Sequence, residues 1–318
     1  MFLDRIFLGS GAIAVQGRGK DVVTLGIVSF WGALRRALGS WGNNAGLAWC
    51  RVVLLGLAVS VTMPASAAAS DIGRLVEHLR IADTVEIMRE EGRAYGRDIA
   101  REMFPDADPD AWEAVVARIY DGEKMRDLIV DRLDEALATT DLEPLLVFFG
   151  SETGRKVVAR ELAARRALLA PGAEAAALDT YDEMRASGAP LLVQIDRIID
   201  DSDLVELNVM GALNANLMFY RGLADGGAYD LAEADMIADV WSQAPSLRRD
   251  TEQWLHAFLL TAYRPLAPAR LEPYVTLYRT PEGRALNRAM FLALDEMYDE
   301  ISYLTGRAVA RYLRSRKL

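Results

Sequence analysis

Residues 142–160 read LEPLLVFFGSETGRKVVAR, and residues 271–289 read LEPYVTLYRTPEGRALNRA. In the first stretch Leu142, Leu145, Leu146 and Phe149 recur at the spacing of one face of an α-helix. Leu271, Tyr274, Val275 and Tyr278 take the same places in the second. Each short helix then breaks at a hydroxyl residue, Ser151 or Thr280, which can accept a hydrogen bond from a free N–H of the next helix. Pro281 falls at the first helical position, where its missing N–H does no harm. Gly154 and Gly283 follow, each ahead of an arginine, Arg155 and Arg284. Glycine in the first turn weakens a helix unless something approaches it closely. The pattern therefore predicts that the preceding helix, or another one, packs against each glycine.

Five pairs are identical at matched positions: Leu142/Leu271, Glu143/Glu272, Pro144/Pro273, Gly154/Gly283 and Arg155/Arg284. The register continues upstream without a gap, since Asp121/Asp250 and Glu123/Glu252 also coincide. One helix–corner–helix unit present twice is the expectation. The corner, best seen in Thr280-Pro281-Glu282-Gly283-Arg284, resembles a bacterial family of envelope proteins known as domain of unknown function 2059. That family shows a short amphipathic helix ending in an aromatic, then Ser/Thr-Pro-x-Gly and a basic or amide residue, then a long helix. The first copy departs from it, with Glu152 in place of proline and Gly150 before the cap. The resemblance covers about 50 residues in each half. It implies an architecture and an envelope compartment, and no activity.

Upstream, Ser70 or Asp71 is expected to cap a helix over 72–79, and Asp83 to Glu86 to form a capping box opening a helix to Met103. Pro105 stops it. Asp108-Pro109 starts the next helix, and Asp121-Gly122 marks a break. Thr140 with Glu143 is read as a second capping box. The Ala-rich run 173–186 is the spacer between copies. The second unit is read as helices over 191–199, 204–223, 231–240 and 251–263, then one from Pro281 to about Tyr312, with a break at Pro245. No stretch reads as strand. The expected class is all-α, as two related antiparallel helical bundles, with units at 70–187 and 188–318.

Residues 51–69 carry the parts of a secretory signal peptide: Arg51, an apolar run from Val52 to Val61, and cleavage near Ala67 or Ala69. Fifty residues precede Arg51, which suggests that translation starts further on, near Val28 or Leu47. Six basic and two acidic side chains leave with residues 1–69. The rest holds 30 basic and 44 acidic side chains, a net of −14 against −10 for the whole chain. Such a surface repels phosphate backbones, so nucleic acid is a poor partner. Cys50, the only cysteine, also leaves, and no disulfide or thiolate site remains. A periplasmic location is expected.

Other motifs read weakly. Gly9–Lys20 lacks the spacing of a phosphate loop, and Arg35-Arg36 lies too far from the apolar run for twin-arginine export. His78 and His256 have no partner at metal or catalytic spacing. Asp196, Asp200, Asp201 and Asp203 lack the glycine-turned loop of a calcium site. Phe148, Phe149, Tyr278, Trp112 and Trp254 read as core. Arg155 and Arg284 admit two roles: an anion or partner contact at a helix N-terminus, or a structural ion pair with Glu143 and Glu272. Arg311, Arg314, Arg316 and Lys317 form a basic end able to meet anionic lipid. No cofactor loop, metal set or nucleophile–base pair is visible. The residues point to an exported interaction module whose partner is another envelope protein or a peptide. A hydrolase using Asp or Glu carboxylates, or a lipid-associated envelope protein, are the alternatives.

Overall fold

The computed structural model describes residues 65–228 and 232–315. Residues 1–50 and residues 51–64 of the expected signal segment lie outside them, as do Arg316 and Lys317, whereas residues 65–69 fall in the first helix. The described residues form thirteen α-helices and no strand. Helices α1 (Ala65–His78) to α6 (Glu152–Ala167) are followed by α7 (Ala173–Ala186), and then by α8 (Pro190–Asp201) to α13 (Pro281–Ser315). α7 buries no residue, and Gly172 and Gly188, both at positive φ, turn the chain at its two ends. Only glycine takes that conformation without strain.

Local signals explain most boundaries. Asp108 accepts from the N–H groups of Asp110 and Ala111 to open α3 (Pro109–Ile119), and Asp121 does the same for α4 (Gly122–Leu137). Four starts differ from expectation. α1 already begins at Ala65, so Ser70 and Asp71 lie inside the helix and do not cap it. α2 (Ile81–Met103) begins at Ile81, not at the Asp83 box, because Ile81 is itself buried and Arg80 takes the left-handed turn. α5 (Glu143–Gly150) opens with Asp141 accepting from the N–H of Glu143, so the Thr140 box does not form. α11 (Ala244–Tyr263) runs straight through the region of the expected break. Pro245 sits in its first turn, where proline needs no donor, and Thr251 Oγ1 donates back to Leu247 O at 2.6 Å inside the helix.

The helices do not sort into two separate bundles. One core runs continuously from Ile72 to Ala310. α4 packs on α13, and α11 packs on α6, so each unit lays a helix against the last helix of the other. α5 touches α13 and α12 (Pro268–Leu277) touches α6 in the same reciprocal way. Periodicity shows which face of a helix is buried but not which helix covers it. The closest pair is α9 (Leu204–Asp225) with α13. They run side by side in one direction, with Gly222 against Gly306 and Gly226 against Ala310. A Cβ on Gly222 would stand 2.2 Å from Tyr303 O, so only glycine allows this contact between backbones.

Candidate functional site

The two corners have one geometry. Ser151 Oγ accepts from Gly154 N at 3.0 Å and donates to Phe148 O at 2.6 Å. Thr280 Oγ1 accepts from Gly283 N at 3.0 Å and donates to Leu277 O at 2.8 Å. One hydroxyl thus caps the incoming helix and holds the end of the outgoing one. A Cβ on Gly154 would fall 2.2 Å from Phe148 O, and on Gly283 2.0 Å from Leu277 O. The close neighbour at each glycine is the backbone of the preceding helix. Pro281 opens α13.

Arg155 and Arg284 do not form the ion pairs expected with Glu143 and Glu272. Each guanidinium donates to the carbonyl five residues back, Gly150 O and Arg279 O. Those carbonyls end the short helices and lack intrahelical donors, so each arginine seals its own corner. Glu272 instead accepts from Gln194 Nε2 at 2.9 Å and faces Arg197. The corners lie near one another, since Phe148 stacks on Tyr274 at 5.7 Å and Arg270 reaches Glu152 at 3.5 Å.

Behind the first corner lies a closed polar cluster. Glu161 on α6 is 2 % exposed and accepts from Tyr263 at 2.5 Å and Tyr274 at 2.8 Å. One turn further along α6, Arg165 makes a two-pronged pair with Glu91 of α2, at 2.6 and 3.0 Å. Burial, then the Glu161 charge, raises both phenols well above their ordinary range, so they stay protonated as donors. Glu161 and Arg165 belong to the first unit, and Tyr263 and Tyr274 to the second. Nothing in the sequence around Glu161 and Arg165 marks them as buried; their place opposite α2, α11 and α12 (Pro268–Leu277) does.

An acidic pair lies on α13. Burial first, then the Asp299 charge, raises Asp295 to about 7; burial and Glu296 raise Asp299 to about 6. Asp295 lies against the bare backbone of Gly211. The histidines stay apart: His78 packs on Gly150, while His256 lies between Glu252 O at 2.7 Å and Asp196 at 3.3 Å. Asp201 pairs with Arg279 at 2.6 Å, so the acidic run on α8 is divided among partners. Trp112, Phe149, Trp254 and Tyr278 are buried and Phe148 half-buried, as core residues. Arg311 and Arg314 are exposed at the end of α13.

These features define, over the described residues, an all-helical protein with one core and two corners of like geometry, each sealed by its own residues. Residues 123–180, spanning most of α4 through the middle of α7 and including the first corner, match a bacterial family described as uncharacterized protein conserved in bacteria, domain of unknown function 2059. No curated protein and no solved structure matches the chain. No helix among the described residues is long and apolar enough to cross a membrane.

Proposed function

We propose that this is an exported, periplasmic binding module, built from two copies of one six-helix unit joined by α7, that docks another envelope protein or a peptide and performs no catalysis. The duplication is supported by the two corners, which agree in every hydrogen bond described above. Docking rests on one observation. Trp241 of α10 (Glu233–Ser242) is 54 % exposed, and Ile237 one turn earlier is exposed with it. Exposed tryptophan is the residue type most enriched at binding hot spots. The test is purification of tagged protein from periplasm. A stoichiometric partner, lost with Trp241→Asp at unchanged melting temperature, supports the reading; equal retention by the variant overturns it. A co-purified lipid instead would favour the basic end of α13. N-terminal sequencing of the same sample is expected to begin at Ala68 or Ser70.

The acid/base hydrolase is the second reading, and Asp295 and Asp299 favour it. A carboxyl titrating near neutrality suits a general acid. Hydrolysis of a candidate substrate that survives Asp295→Asn would remove it.

A further inference from the structure

Between the end of α2 and the start of α3 opens a cleft of about 270 Å³. Its accessible apolar surface is that of Ala100, Pro105, Ala107 and Pro109, backed by two aromatic rings that are themselves buried. Phe104 and Trp112 meet edge to face at 4.8 Å, and Tyr312 of α13 stacks behind Phe104 at 5.1 Å. This backing is held firmly, because Trp112 Nε1 donates to Gly96 O at 2.7 Å. The turn from Pro105 to Pro109 forms its edge, set by one proline that ends α2 and another that opens α3.

One wall is basic. Arg93, Arg97 and Arg101 stand one turn apart on a single face of α2. Arg101 is tied to Asp98. Arg93 and Arg97 pair with no carboxylate among the described residues. Opposite them, Asp108 is turned to the N–H groups that open α3, and Glu113 stands at the rim. Three neighbouring cations repel one another, and an anion placed between them relieves that repulsion. In a chain of net charge −10 this is a local inversion of sign, laid over aromatic rings.

We propose that the cleft binds a small apolar acid. The carboxylate takes the paired N–H groups of Arg93 and Arg97, and the apolar body lies against Ala100, Ala107 and Pro109, with the buried rings of Phe104 and Trp112 behind them. The volume equals about nine waters at liquid density, which suits an acid of about that many heavy atoms. The site is separate from the α10 surface and stands or falls without it.

The experiment is calorimetric titration of the purified full-length protein with sodium octanoate. One saturable site is expected. The double variant Arg93→Glu/Arg97→Glu should weaken it at least about tenfold, the weight of one charge-assisted hydrogen bond. Octan-1-ol, which lacks the charge, should lose as much, and inorganic phosphate, which lacks the chain, should not displace octanoate. Should the double variant fail to fold, Ala107→Trp serves instead, filling the cleft while keeping every charge. The proposal is overturned by absence of octanoate binding, by octanol binding equally well, by displacement with phosphate alone, or by undiminished affinity in whichever variant folds.

Discussion

The two corners are alike and the interiors behind them are not. At the distances past Gly154 where Glu161 and Arg165 stand, the second unit has Met290 and Leu294 past Gly283, both buried. The first unit thus closes a charged cluster where the second packs hydrocarbon. The reverse holds for orphaned atoms. Among the described residues, the buried side-chain atoms without a hydrogen-bond partner are on Gln194, Ser202, Asn208, Trp254 and Asp299, all in the second unit. The two halves therefore share a backbone device but not a core chemistry. The corner depends on backbone geometry, which tolerates little change, whereas a core position needs only matched volume and satisfied polarity.

The largest test of this contrast is Arg165→Leu, which places the second unit's residue in the first. It strands Glu91 and should cost about 3–5 kcal/mol in denaturant unfolding. Adding Glu91→Leu should return most of that loss, because a well-packed apolar replacement of a buried ion pair is close to neutral. If the single change is silent, the cluster is not what distinguishes the halves.

Next come the shared elements. Gly154→Ala and Gly283→Ala should each cost about 2–3 kcal/mol, since the new methyl meets backbone that cannot rotate away. Equal losses sharpen the comparison, and a clear inequality breaks it. Ser151→Ala and Thr280→Ala should each cost about 1 kcal/mol, the usual weight of a cap. Replacing Arg155 or Arg284 by Ala should lower the melting temperature less than loss of the cap beside it, since each guanidinium is exposed.

A pH dependence centred on Asp295 and Asp299 also separates the halves. Asp295 and Asp299 hold their protons more tightly folded than unfolded. Their contribution is full below the ordinary carboxylate range and is lost as pH rises through about 6 and about 7. Melting temperature should therefore fall over that window from this pair, and Asp295→Asn should flatten the slope.

Much of this was legible in the chain. The corner glycines, the caps at Asp108 and Asp121, and the helix from Pro281 follow from residues adjacent in sequence. The all-helical class follows from periodicity. The interlocking of α4 with α13 and α11 with α6 was hidden, because an apolar stripe carries no address for its partner. Glu161 and Arg165 were hidden for a related reason: two opposite charges one turn apart look the same whether water or Tyr263 faces them. Pro245 misled because proline ends a helix or begins one, and only the course of the chain after it decides which.

The reciprocal clasp sets a timetable. α4 packs on α1 and α2, but its largest contact is with α13, and that contact joins residues far apart along the chain. Closing so long a loop is slow. A polypeptide built this way completes its core only when residues before 138 meet residues after 280.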